Sequence, residues 1–160
     1  MAKMAVIALL SHLAKGADLK AAELQSGALT KTQGPNHWKY GSGTAACVYG
    51  GPVDCSGFIT AIARQVDPSH KRFTSENMEA DCVGDISTMP NTVGIFLWRP
   101  KIDGVQSGHV GIYTGKNSNG DKYTVEAFDS NDNVARRGNR LASTATKPFT
   151  KWGYLDFVQY

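Results

Sequence analysis

The sequence predicts an α+β fold, with an antiparallel sheet of about five or six strands packed against helices. Three observations predict it. Apolar residues recur at helical spacing through the first half of the chain, up to Val66. From Val93 onward the apolar segments are short and rich in aromatic and β-branched residues, as strands are. Nothing between the halves marks a linker, and 160 residues suit one domain. The hydrophobic share of 41% and charged share of 19% exclude a wholly disordered chain.

The elements follow in order. Val6, Ile7, Leu10, Leu13 and Ala14 lie at helical spacing, with Ser11, His12 and Lys15 on the other side. This predicts a helix over 3–25, bent near Gly16. Lys3 and the seven-residue run Met4 to Leu10 imitate a signal peptide only weakly, since no small-residue cleavage site follows. Residues 26–53 are rich in Gly, Ser, Thr, Asn and Pro and read as loop. Phe58, Ile59, Ile62 and Val66 define a helix from Cys55 to Val66, ended by Pro68. A short helix is expected over Ser75 to Cys82, capped by Thr74 or Ser75. Strands are expected over Val93–Trp98, His109–Thr114, Lys122–Phe128 and Tyr154–Tyr160. No apolar run approaches the ~18–20 residues that span a membrane.

Composition narrows the function little. A net charge of +3 and a pI near 8.8 favour an anionic polymer, nucleic acid or bacterial wall, and select neither. No stacking motif or basic stripe supports nucleic acid. Arg136, Arg137 and Arg140 read as a solvated loop cluster. Three cysteines cannot all pair within one chain, so at least one thiol is free or pairs between molecules. Asp81, Cys82 and Asp85 fit no standard zinc ligand spacing. Cys47 and Cys82 read as structural.

The sharpest local feature is Asp54-Cys55-Ser56-Gly57-Phe58. It puts a thiol where a loop becomes a helix. Unpaired N–H groups and the positive end of the dipole there favour a thiolate, the nucleophilic form. The same N–H groups can hold the oxyanion formed on attack at a carbonyl. The alternative is an inert, buried cysteine.

A cysteine nucleophile needs a base, usually histidine. His37 and His70 lie in polar loops. His109 opens a strand in which His109, Gly111 and Tyr113 share one face, with Val110 and Ile112 on the other. Glycine two residues along leaves room against the imidazole. Glu126 on the next strand orients the ring if His109 pairs opposite it across a loop from Gly115 to Gly120. A tight Asn119-Gly120 turn instead puts Glu126 opposite Tyr113, out of reach. Asp129 and Asp132 are the other acids nearby.

Together, Asp54-Cys55-Ser56-Gly57-Phe58, Gly108-His109-Val110-Gly111-Ile112-Tyr113 and Val125-Glu126-Ala127 resemble the NlpC-type cysteine peptidases, papain-like bacterial wall hydrolases related to the CHAP amidase/peptidases. The closing Trp152-Gly153 and its following segment are similar to the end of phage-lysin members. The resemblance runs from about residue 38 to the end. It implies a papain-like fold with Cys55 heading the central helix, in a single catalytic domain over 1–160: a helical segment over 1–25, then an NlpC-like core over 26–160. It implies Cys55 as nucleophile, His109 as general base and Glu126 as the third polar group. Ser56, Tyr40, Tyr49 and Trp98 would border the oxyanion site or groove. The family's Tyr-x-(Trp/Tyr)-Gly-Gly run is only partly matched, by Trp38-Lys39-Tyr40-Gly41-Ser42 and by Cys47-Val48-Tyr49-Gly50-Gly51, and neither has tyrosine first; the residues themselves read Tyr40 and Tyr49 as packing residues.

The implied reaction is hydrolysis of an amide in the peptidoglycan stem peptide, with no metal and no cofactor. The alternatives are an N-acetylmuramoyl-L-alanine amidase, a cross-bridge peptidase, a secreted antibacterial effector with its own immunity protein, and a non-catalytic wall-binding module. The partner is bacterial peptidoglycan, with neither nucleic acid nor membrane insertion expected. The site of action is the wall, reached by a holin, a virion or a secretion machine.

Overall fold

Residues 18–42, 47–102, 108–141, 145 and 147–160 are described by the computed structural model. The chain enters as a two-residue strand, β1 (Leu19–Lys20), which pairs in parallel with β8 (Val158–Gln159) near the C-terminus. Helix α1 follows over Ala21–Thr30. Glu23 in its first turn accepts a hydrogen bond from the Lys20 amide at 3.1 Å, which sets the start. Leu24 and Ala28, four apart, are buried on one face. The expected helix over 3–25 is thus corrected at its end: residues 18–20 are extended, and the helix runs to Thr30, into the predicted loop. The apolar pattern from Val6 to Ala14, His12 and the bend at Gly16 lie outside the described residues.

Helix α2 spans Cys55–Val66, the bounds its periodicity predicts. Its end has a local cause. Asp67 precedes Pro68, which disfavours helical backbone, and Asp67 is extended at φ −134°, ψ 100°. Helix α3 is one turn, Ser75–Met78, with the Thr74 hydroxyl accepting from the Asn77 amide at 3.1 Å. The predicted extension to Cys82 is a 3₁₀ turn over Glu79–Asp81, after which Cys82 begins a strand.

The remaining strands are β2 (Cys82–Asp85), β3 (Phe96–Arg99), β4 (His109–Lys116), β5 (Lys122–Asp129), β6 (Asn133–Gly138) and β7 (Lys151–Gly153). They form one six-stranded sheet in the order β2-β7-β3-β4-β5-β6, every neighbouring pair antiparallel. The fold is therefore mixed α+β with a mostly antiparallel sheet. Strands β2 and β6 escape prediction because they are edges. Their half-exposed, polar sequences carry little apolar signal. The predicted strand over Tyr154–Tyr160 divides instead: Lys151–Gly153 joins the sheet, a turn closes with Val158 N–H donating to the Leu155 carbonyl at 3.2 Å, and only β8 follows.

Each sheet face has its own core. Phe58, Ile59 and Ile62 of α2 pack on the face carrying Phe96, Val110, Ile112, Val125 and Ala127. Buried side chains of this size each contribute about 1.5–3 kcal/mol by leaving water. The opposite face carries Ile95, Leu97 and Tyr113 under Phe149 and Trp152. Strand β4 alternates between them, Val110 and Ile112 toward α2, Tyr113 away from it. His109 and Gly111 share the face of Tyr113. Helix α2 opens at the sheet end where β3 and β5 finish and β4 begins.

Candidate active site

The thiol is placed by a capped helix start. Asp54 Oδ1 accepts from the Gly57 amide at 2.6 Å, leaving the amides of Cys55 and Ser56 outside the helix's own bonding. Arg72 holds the cap in turn, its Nη2 lying 3.2 Å and 3.1 Å from the two Asp54 oxygens. The same guanidinium donates to the Phe73 carbonyl at 2.6 Å and to Ser56 Oγ at 3.3 Å. Cys55 is partly exposed, at the mouth of a cavity of about 530 Å³. Tyr40, Ser56, Arg72, Arg99, His109 and Phe128 are among the residues lining it.

His109 reaches this cavity from the sheet. It is 6% exposed, hydrogen-bonded to Glu126, and near enough to Cys55 for the thiol to act on its protonation. Its Nε2 lies 2.7 Å from Glu126 Oε1, which leaves Nδ1 as the ring nitrogen not engaged by the carboxylate. The ring stacks on Phe149 with centroids 5.7 Å apart and an interplanar angle of 12°, and Phe128 meets it edge-on at 6.0 Å. Burial pushes the imidazole pKa down, but the nearby Cys55 and Glu126 outweigh it, so the pKa is raised.

Glu126 is fully buried. Thr124 Oγ1 donates to it, and Arg140 Nε lies 3.3 Å and 3.1 Å from its two oxygens. Burial alone would raise its pKa. His109, followed by Arg140 and Thr124, brings it below the ordinary carboxylate value. The carboxylate is therefore ionised, and the imidazole is held between it and the thiol.

Neither predicted register is the one adopted. Ile112 pairs with Val125 and Tyr113 with Thr124, which places Gly111 across from Glu126. The carboxylate reaches His109 diagonally, over the space a side chain at Gly111 would fill. A Cβ there would lie 2.7 Å from Glu126 Cγ and 3.1 Å from Phe149 Cζ. The loop sets Lys116 opposite Lys122, and a bulge between Tyr113 and Gly115, with Gly115 at φ +103°, shifts the pairing by one more residue.

The other predicted residues divide. Ser56 is buried beside Cys55, and Tyr40 lines the same cavity. Burial raises the Tyr40 pKa, and the charges of Cys55, Asp54 and Asp129 add to that, so its hydroxyl keeps its proton. Tyr49 lies elsewhere: it is 44% exposed, meets Trp38 edge-on at 4.6 Å and lines a separate hollow with Leu24 and Ile62. Trp98 is 4% exposed and lies beneath the groove rather than at its rim, its indole N–H donating to the Ser75 carbonyl at 2.6 Å. Through Ser75 it braces the cavity wall.

All three cysteines are free, and their surroundings differ. Burial pushes the Cys82 thiol up to about 11, and it donates to the Met78 carbonyl at 3.6 Å. Cys47 is buried against Arg64 Nη1 at 3.4 Å. His37 and His70 bond to Val134 and Asp156, away from the thiol. Among the described residues no group of three or more His, Cys, Asp or Glu could hold a metal ion. No described helix is long and apolar enough to cross a membrane.

Sequence reasoning missed Arg72, Arg99, Phe149 and, most consequentially, Arg140. The expected solvated arginine loop is corrected for Arg140, which is 7% exposed on Glu126; Arg136 is exposed as expected and lies over Tyr123 at 3.6 Å, and the partly buried Arg137 lies over Phe128 at 3.7 Å. Three arginines in five residues were the available signal; which of them turns inward depends on the β5–β6 pairing. No protein-family model matches this chain, and no curated protein is significantly similar to it.

Proposed function

We propose that this chain is a papain-like cysteine peptidase of NlpC type that hydrolyses an amide in the peptidoglycan stem peptide. The observation that carries the proposal is that Cys55 and the His109–Glu126 pair line one open cavity. The motif resemblance supplies the substrate class.

The chemistry follows from the placement. Cys55 gives its proton to His109 Nδ1, and the thiolate attacks the scissile carbonyl carbon. The oxyanion is held by the Cys55 and Ser56 amides at the helix start, with the Tyr40 phenol a further donor in the same cavity. His109 returns the proton to the leaving amine as the C–N bond breaks, leaving a thioester. Water, deprotonated by His109, then releases the acid and restores the thiol. Glu126 fixes the ring and stabilises the imidazolium between these steps.

Digestion of purified peptidoglycan, with mass spectrometry of the released fragments, tests this reading. New amino and carboxyl termini within the stem are expected. A free lactyl carboxylate on muramic acid would identify the amidase instead, and cut bridges a cross-bridge peptidase. Release of reducing sugars alone, or of nothing, overturns the proposal. Phage lysin and secreted effector share this chemistry; a tightly bound immunity protein would mark the effector. Gly111→Ala is expected to displace Glu126 from His109 and slow hydrolysis by roughly 10²-fold, with the far-ultraviolet spectrum unchanged.

A further inference from the structure

Beside the thiol cavity lies a second, smaller cavity of about 340 Å³. Four basic side chains line it, Arg99, Arg137, Arg140 and Lys147, against one carboxylate, Asp129. The two cavities share Arg99, His109, Phe128 and Asp129, so they adjoin, and Cys55 lines the larger.

The basic groups are held in place before any ligand arrives. Arg137 lies over Phe128 at 3.7 Å, with its Nη1 2.7 Å from Asp132. Arg140 faces Phe149 at 5.4 Å and grips Glu126. Arg99 is 4% exposed. Burial, and then the nearby charge of Arg140, lower its pKa, so the two guanidiniums feel one another across the site. Guanidinium forks match carboxylate and phosphate oxygens, and a recess lined by one sign of charge concentrates the opposite ion.

We propose that this second cavity is an anion subsite, which seats a carboxylate or phosphate of the substrate while the scissile amide lies at Cys55. Its occupant's being wall substrate rests on the hydrolase reading; the subsite itself does not. The same recess would disfavour substrates whose neighbouring group is amidated or cationic.

The test titrates the full chain with inorganic phosphate, glutarate and the uncharged glutaramide, following melting temperature and the His109 ring resonances. Wild type is expected to bind at least one of the anions and not glutaramide. The Arg137→Gln/Lys147→Gln double variant, which leaves Cys55, His109 and Glu126 untouched, is expected to bind it roughly tenfold more weakly or worse. Binding of glutarate points to a stem carboxylate as the natural occupant, and binding of phosphate alone to a wall phosphodiester. Alkylation of Cys55 gives the location: the iodoacetate-to-iodoacetamide rate ratio should fall roughly tenfold in the double variant. Binding of neither anion, equal binding by the double variant, or an unchanged ratio overturns the subsite. Anion binding by a protein that releases no wall fragments retires the hydrolase and keeps the subsite; wall hydrolysis without anion binding does the reverse.

Discussion

Cys55→Ala is expected to remove at least about 10³-fold of the wall-hydrolysing rate while the protein stays folded. Cys55 is partly exposed at a helix start, so truncating its thiol opens no core cavity. The helix cap is made by Asp54, not by the thiol, and survives the change. What the variant lacks is the atom to which the proposed mechanism assigns the thioester. Cys47→Ala and Cys82→Ala are the controls: both should retain activity, since neither thiol lines the cavity with His109. Release of amino groups from purified wall, measured alongside thermal melting, separates lost chemistry from lost fold. Wall hydrolysis by Cys55→Ala at the wild-type rate would falsify the mechanism.

Glu126→Gln carries the second large effect, on both stability and rate. The carboxylate is fully buried and shared by Arg140, His109 and Thr124. Removing its charge leaves the Arg140 guanidinium buried without that partner. Breaking a buried pair this way costs about 3–5 kcal/mol, a fall in Tm of roughly 6–20 °C at this chain length. Replacing both charges, in Glu126→Gln/Arg140→Met, should recover much of the loss, because no buried guanidinium is then left facing a neutral amide. Activity should not return with stability, since the imidazole has still lost its orienting carboxylate. The sign with pH follows from the lowered Glu126 pKa. Its stabilisation is present above the unfolded value near pH ~4.3 and is lost as pH falls through the folded value. Acid unfolding of wild type should therefore be steeper than that of the double variant. Full recovery of hydrolysis in the double variant would remove Glu126 from the account.

Sequence legibility followed physical scale. Helix α2 was readable to the residue because a capping aspartate, an apolar period and an Asp-Pro stop agree locally. The imidazole's strand was readable from alternation, and the value of Gly111 as open space was visible two residues from His109. The register was not readable. It turns on where the loop closes and on a one-residue bulge near Thr114, which together place Glu126 across from Gly111 and still leave it in contact with His109. Arg140 was hidden because its burial is decided by which way β6 ends, a non-local matter. Tyr40 and Tyr49 sit in equivalent Tyr-Gly pairs; chain path alone brings the first to the thiol and leaves the second against Trp38. Edge strands β2 and β6, short and polar, carried almost no signal.

The central claim is that the Cys55 thiol and the His109 imidazole act as one unit. Titration of the His109 ring by NMR, in wild type and in Cys55→Ala, tests it without any substrate. In wild type the imidazole should titrate above the ordinary histidine value near ~6.5, raised by Cys55 and Glu126 beside it. In Cys55→Ala the contribution of the thiol is gone and the titration should move to lower pH. Superimposable curves for the two proteins would contradict the coupling on which the proposed chemistry depends.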